Sequence, residues 1–260
     1  LTGASAAVVD ASGMKDSGST LNFDGSAEDD SELRITGHDG ASTLTGGGKD
    51  DTISGAGGAD VITGGKGADS LTGGAGDDDF IVTISSGSDV ITDFDDTGSD
   101  QIDFDAAATD TFTTADGTTI DRRGTAGTND IAEDDFGVMN NTDFTNDGDF
   151  ENGKTVIFEL VAAIANLSTL TEAAFRDKFG EGQGSEIIFD DTPLSESMAG
   201  LVIVYDGTDD TSADAGVFYF DLGASTDGGN EDHLNNGDTL TLIAEIENIG
   251  ANNLGFEDFI

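Results

Sequence analysis

GGGKDDTIS, GAGGADVIT, GGKGADSLT and GGAGDDDFI, residues 46–81, are four successive nonapeptides of one pattern, G-G-x-G-x-D-x-U-x, in which U is a large apolar residue. Self-similarity at a short fixed period is the signature of a stacked repeat architecture. The acidic position recurs as Asp51, Asp60, Asp69 and Asp78, and the apolar one as Ile53, Ile62, Leu71 and Phe80. A weaker copy, Gly37 to Thr45, precedes them with Ser42 at the acidic place and Leu44 at U. Lys49 and Ala56 depart from the Gly framework. A Gly/Asp-rich linker does not keep an apolar residue at every ninth place.

The residue types point to a hard cation. Glycine allows φ > 0 and lets backbone carbonyls turn toward a common point, and Asp adds a charged oxygen. Ca²⁺ takes six to eight oxygen ligands at about 2.3–2.6 Å, more than one such loop holds. Loops stacked on one another can share the task, and a stack that repeats every eighteen residues would place Asp51 near Asp69 and Asp60 near Asp78. Ser42 falls near Asp60, where the site is weak or absent. One buried apolar side chain per nine ordered residues does not offset the backbone entropy lost on folding, and stacked unpaired carboxylates add repulsion. The segment is therefore expected to be disordered without calcium and to fold with it.

The nonapeptide resembles the RTX (hemolysin-type) calcium-binding repeat. The resemblance implies a mostly β fold, a right-handed parallel β-roll in which each repeat gives a six-residue loop and a three-residue strand. It implies Asp51, Asp60, Asp69 and Asp78 as side-chain ligands, with carbonyls from the loop glycines Gly46, Gly48, Gly55, Gly57, Gly58, Gly64, Gly65, Gly67, Gly74 and Gly76. The following stretch, Asp89-Val90-Ile91-Thr92-Asp93-Phe94 and then Gly98-Ser99-Asp100-Gln101-Ile102-Asp103-Phe104, is similar to the segment after the repeats of secreted serralysin-type proteases. It is expected to continue the roll with looser turns, Asp89 and Asp100 closing the last metal positions.

Composition agrees. The chain of 260 residues has 54 Asp plus Glu against 9 Lys plus Arg, a net charge of −45. Phosphate recognition needs a basic face, so nucleic acid is excluded as a partner, and an anionic membrane would repel the chain. Self-repulsion on this scale calls for counter-ions. Thirty-eight Gly with one Pro suit many tight turns between short strands, and 16 Phe argue for a fold. The absence of Cys excludes disulfides and thiolate metal sites. No apolar run approaches a membrane span and no signal peptide is visible. A start at Leu1 suits the end of a longer protein.

Before the repeat, Ala7–Ser12, Thr20–Gly25 and Leu33–Gly37 read as short strands in irregular solenoid turns. Residues 1–105 are thus expected to form the roll and 106–260 a β-rich module with one or two short helices. Residues 106–148 are polar, include Arg122 and Arg123, and read as loops with short strands. An EF-hand frame counted from Asp147 fails, with Asn152 at the sixth place and Phe158 at the twelfth. Thr155 to Leu167 has helical apolar spacing, and Thr169 to Glu172 matches a capping box ahead of Ala173–Phe179 and Gly180. Strands return at Glu186–Phe189, Leu201–Tyr205, Gly216–Phe220 and Thr239–Ala244, joined by acidic turns such as 206–210 and 227–229. The ending, Leu242–Ile249 and Leu254–Ile260, resembles the tails of large bacterial surface proteins, S-layer proteins and adhesins exported by type I secretion.

Catalytic signatures are missing. His38 and His233 form no H-E-x-x-H motif, His38 reading as an exposed turn residue. There is no G-x-S-x-G elbow, no Cys nucleophile, and no Walker or Rossmann fingerprint. The expectation is a non-catalytic, secreted, calcium-binding region of a cell-surface protein of S-layer or adhesin type. Its expected partners are calcium ions, the type I secretion machinery through the C-terminus, and further copies of itself or a surface polysaccharide. The alternative is the secretion and stabilisation tail of a secreted protease or lipase. A third reading, an ice- or sugar-binding adhesin module, rests on Ser54, Thr63 and Thr72, whose rhythm the repeat itself produces.

Overall fold

The computed structural model describes residues 6–15, 18–83, 87–94, 100–103, 112–113, 119–120, 136–140, 156–161, 198–205, 214–222, 239–247, 249, 254 and 258. The chain divides into two compact units, one of residues 1–106, 211–214 and 243–260, the other of residues 107–210 and 215–242.

The first unit is a parallel β-solenoid. Its strands alternate between two sheets. One holds β1 (Ala7–Asp10), β3 (Leu33–His38), β5 (Thr52–Gly57), β7 (Ser70–Ala75) and β9 (Asp89–Ile91). The other holds β2 (Leu21–Asp24), β4 (Ser42–Thr45), β6 (Val61–Thr63), β8 (Asp79–Ile81) and β10 (Gln101–Asp103). Neighbours in each sheet are parallel. Strands this short hold together because every one has a ladder partner on the turn beside it, and neighbouring parallel strands lie about 4.8 Å apart.

The register explains the nine-residue rule. Ile35 pairs with Ile53, Ile53 with Leu71 and Leu71 with Ile91 in one sheet. Phe23, Leu44, Ile62, Phe80 and Ile102 form the facing column. All of the U residues are fully buried. Side chains alternate across a strand, so the Asp two places before U points to the same interior. The spacing widens after the fourth repeat, yet the ladder continues: Ser70 pairs with Val90 and Asp79 with Gln101. The roll thus runs on through β9 and β10, and the segments before the repeat, β1 to β3, extend it in the other direction.

A strand remote in sequence joins the same unit. In β17 (Thr239–Ile246), Ala244, Glu245 and Ile246 pair in parallel with Asp89, Val90 and Ile91. The Glu247 amide donates to Ile91 O at 2.9 Å. Ile243, Ala244 and Ile246 are fully buried.

The second unit holds β13 (Phe136–Asn140), β14 (Val156–Val161), β15 (Met198–Tyr205) and β16 (Ala215–Leu222), with β13, β14 and β15 parallel and β15 and β16 antiparallel. Two short strands, β11 (Phe112–Thr113) and β12 (Thr119–Ile120), form an antiparallel pair. The helix expected over Thr155–Leu167 is corrected here: Val156–Val161 is a strand. Its β-branched and aromatic residues favour extended backbone, and ladders on both sides satisfy its amides as a helix would have done. The second helix, the Asp147 loop and the strand at Glu186–Phe189 lie outside the described residues. No helix among the described residues is long and apolar enough to cross a membrane.

Candidate calcium sites between stacked loops

Each nonapeptide loop reverses the chain between the two sheets, so loops fall into two columns. Loops 37–42, 55–60 and 73–78 stack along one edge of the roll, and loops 46–51 and 64–69 along the other. Left-handed backbone appears at the second and fourth places. Gly65 and Gly74 have φ 106°, and Gly58, Gly67 and Gly76 have φ 94°, 127° and 147°. Ala56 occupies a second place at φ 80°, the non-glycine exception among the described residues.

The carboxylates form two continuous ladders. Asp69 Oδ1 accepts the Asp51 amide at 2.7 Å, and Asp89 Oδ1 accepts the Asp69 amide at 3.2 Å. On the other edge Asp60 Oδ1 accepts the Ser42 amide at 2.6 Å, Asp78 Oδ1 the Asp60 amide at 2.8 Å, and Asp100 Oδ1 the Asp78 amide at 3.1 Å. One oxygen of each side chain thus locks its turn to the one before. The pairs Asp51/Asp69 and Asp60/Asp78 meet one turn apart, as the eighteen-residue spacing predicts, and Asp89 continues the first ladder.

The second oxygen tells the sites apart. Oδ2 of Asp60, Asp69, Asp78 and Asp89 is buried and has no hydrogen-bond donor. These four side chains are 0–1 % exposed. A buried carboxylate oxygen without a donor is costly, and two such oxygens on each edge of the roll mark places where something positive belongs. Asp51 differs, since its Oδ2 accepts the Gly47 amide at 2.5 Å. Its loop carries Lys49 at the fourth place and has no residue of positive φ.

The glycine at the first place of each loop opens the space. A Cβ on Gly55 would meet Gly73 O at 2.7 Å and collide with Asp60 Oδ2. A Cβ on Gly46 would lie 2.6 Å from Asp51 Oδ2 and collide with Gly64 O. At Gly64 and Gly73 it would collide with Oδ2 of Asp69 and Asp78. At Gly46 and Gly55 a carboxylate oxygen and a carbonyl of the next turn therefore face one small cradle. Sequence reading leaves Gly73 out, although it stands in register with Gly55 and Gly64. It also misses Asp93, whose two oxygens accept the Gly73 and Gly74 amides at 2.9 Å each. Gly48 and Gly57 do not face the ladder carboxylates: a Cβ on Gly48 would lie 2.7 Å from Asp29 Oδ1, and the nearest atoms to one on Gly57 are backbone, at 3.7 Å or more.

Electrostatics fit the same picture. Burial pushes the Asp69 carboxyl up to about 7 and those of Asp78 and Asp89 up to about 6, with neighbouring carboxylates adding to the rise for Asp69 and Asp78. Burial also raises Asp51 and Asp60. No three His, Asp or Glu side chains converge on one point among the described residues. A cation here takes carboxylate oxygens singly and backbone carbonyls for the rest, an all-oxygen set that suits Ca²⁺ and offers nothing to softer metals.

The family comparison agrees. The model of the RTX calcium-binding nonapeptide repeat matches residues 36–71 and 54–81, with four copies. These are RTX calcium-binding nonapeptide repeats. RTX repeats bind calcium and occur in secreted bacterial proteins. No curated protein matches the chain. Asp60, Asp69, Asp78 and Asp89 fit the ion through their donorless Oδ2 atoms, with the carbonyl of Gly73 facing the same cradle as Asp60. Bound calcium supplies positive charge to a buried acidic interior and ties successive turns together.

His38 corrects the sequence reading. It is fully buried, not an exposed turn residue. Its Nε2 lies 3.2 Å from Ser19 O, and its Nδ1 lies 3.4 Å from the Gly40 amide and 3.3 Å from Ser42 Oγ. Its signal in the sequence is its place, the second of a repeat whose sixth place has also lost its Asp.

Proposed function

We propose that this chain is the calcium-dependent folding region of a secreted cell-surface protein of S-layer or adhesin type. The observation that carries the reading is the row of buried Oδ2 atoms on Asp60, Asp69, Asp78 and Asp89 with no protein donor. Without a cation the compact roll concentrates charge in its interior and is disfavoured. With calcium the same carboxylates become the links between turns. Extracellular calcium modules bind at about 10⁻⁴–10⁻³ M, so the chain stays open at cytosolic calcium and closes outside the cell. Folding after type I export holds the protein outside and braces its assembly with other copies or its hold on a surface polysaccharide. The role is one of binding and folding, not catalysis.

The test is a calcium titration of the whole chain followed by far-UV circular dichroism, with magnesium in parallel. Magnesium needs near-ideal octahedral geometry and keeps its waters. A cooperative gain of β signal in calcium alone, weakened in Asp60→Ala and Asp69→Ala, is the expected result. A β spectrum already complete in chelator and unmoved by calcium overturns the reading. Binding of calcium-folded chain to isolated cell-wall material, absent in chelator, tests the surface role.

A further inference from the structure

The first loop of the repeat column, residues 37–42, stacks as the later loops do, but it has no residue of positive φ and carries different side chains. Gly37 stacks on Gly55 as Gly55 stacks on Gly73. A Cβ on Gly37 would collide with Gly55 O and lie 3.0 Å from Ser42 Oγ. In the next loop the same point faces Gly73 O and the donorless Oδ2 of Asp60. The cradle is repeated, but a hydroxyl replaces the carboxylate.

That hydroxyl is engaged. Ser42 Oγ donates to Gly40 O at 3.2 Å or to His38 Nδ1 at 3.3 Å. His38 stands at the second place of its repeat, in register with Ala56 and through it with Gly74. The imidazole fits the Nε2–H tautomer: Nε2 donates to Ser19 O, and Nδ1 accepts from Gly40 N–H and the Ser42 hydroxyl. Every polar atom of the pair has a partner, whereas the following loop leaves a buried anionic oxygen without one.

We infer that His38 and Ser42 form a metal-free plug that ends the calcium column, taking the structural place of an ion in the first loop. The imidazole ties the loop to the segment before β2 with neutral hydrogen bonds, so this turn is held without a cation and calcium begins with the loop of Asp60. The inference rests on the calcium reading of the later loops. It also gives His38 a blocking role: a carboxylate introduced at residue 42 alone faces the lone pair of Nδ1, and the imidazole leaves the loop no room for an ion.

The test counts bound calcium per whole chain by equilibrium dialysis, for the unaltered protein, S42D, H38G/S42D and H38G. The double change restores G-G-D-G-A-D and is expected to bind one ion more than the unaltered chain. S42D alone is expected to show no gain. H38G alone is expected to keep the ion count while lowering the melting temperature in saturating calcium by several degrees, a readout that does not depend on the double variant folding. A gain in S42D alone, no gain in the double variant, or an unmoved melting temperature in H38G overturns the inference while leaving the later sites standing. An unaltered chain that binds no calcium overturns the calcium reading and this inference with it.

Discussion

Asp78 Oδ1 accepts the amide of Asp60, one turn away, at 2.8 Å, while Asp78 Oδ2 faces the loop interior with no donor. On the calcium reading proposed above, one side chain has two jobs, a ladder hydrogen bond with one oxygen and cation binding with the other. Removing the charge and removing the ladder bond are separable experiments.

Asp69 and Asp51 make the contrast directly. Asp69→Asn keeps an oxygen for the Asp51 amide but places an NH₂ where the donorless oxygen stood. The calcium midpoint is expected to rise about tenfold, equivalent to about 1.4 kcal/mol, with little change in the melting temperature at saturating calcium. Asp51 accepts Leu33 N–H at 2.7 Å with one oxygen and Gly47 N–H with the other. Asp51→Asn leaves one of those amides unanswered, so the melting temperature falls even at saturating calcium, by about 1–3 kcal/mol of stability. Calorimetry at two calcium concentrations separates the two outcomes, and equal midpoint shifts in both variants contradict the distinction.

The pH dependence runs opposite to that of an ordinary salt-bridged carboxylate. Unfolded Asp titrates near 3.9, whereas burial lifts Asp69 to about 7 and Asp78 and Asp89 to about 6 in the folded roll. Between these values the folded state holds protons that the unfolded chain has released. Stability without calcium is therefore highest at low pH and is lost as pH rises through about 6–7. In calcium-free buffer, β signal by circular dichroism is expected at pH 5 and not at pH 7.5. With calcium present the midpoint concentration rises as pH falls, because protons compete for the same oxygens. A calcium midpoint independent of pH between 5 and 7.5 contradicts this assignment.

Backbone strain offers a gain of stability. Ala56 sits at φ 80° where Gly65 and Gly74 sit at 106°. A left-handed non-glycine residue costs roughly 1–2 kcal/mol, partly offset by the entropy of the free glycine chain. Ala56→Gly is expected to stabilise the calcium-loaded roll by about 0.5–1 kcal/mol in chemical denaturation. Gly55→Ala acts oppositely: its methyl group meets Asp60 Oδ2 and Gly73 O, and the chain is expected to bind one calcium ion fewer.

The core prediction concerns Phe80, which is fully buried with its ring centroid 6.3 Å from that of Phe94. Phe80→Ala is expected to cost about 3–5 kcal/mol. Since folding and calcium binding are linked, the loss shows as a higher calcium midpoint rather than as a change in ion count.

The roll was legible because its rule is local. A period of nine with Asp at the sixth place and U at the eighth is read straight from residues 46–81, and the pairs Asp51/Asp69 and Asp60/Asp78 follow once two repeats make one turn, as the RTX resemblance implies. What escaped depends on detail the pattern does not carry. Asp51 is equivalent to Asp69 by spacing, and only Lys49 at the fourth place hints that its loop closes differently. His38 reads as exposed because histidine beside Asp and Gly suits a turn, yet its ring is enclosed by Ser19, Gly40 and Ser42, whereas Ala56 in register with it is half-buried and Gly74 exposed. Val156–Val161 read as helix because the apolar spacing runs on through Leu167, while ladders with β13 and β15 decide for strand. The partner of β17 was not legible at all, for no periodicity links Ala244 to Asp89.

That last pairing gives the roll two very different clocks. Each repeat closes on a neighbour eighteen residues away, a short search for the chain. The strand that covers β9 arrives from residue 244, and contacts so distant in sequence form slowly. Until it arrives, β9 exposes a row of unpaired backbone groups, a template for the strand of any neighbouring chain. A crowded unfolded chain therefore competes with its neighbours' edges for its own residues 244–246, and the interval before closure is when such edge-to-edge pairing is open to it.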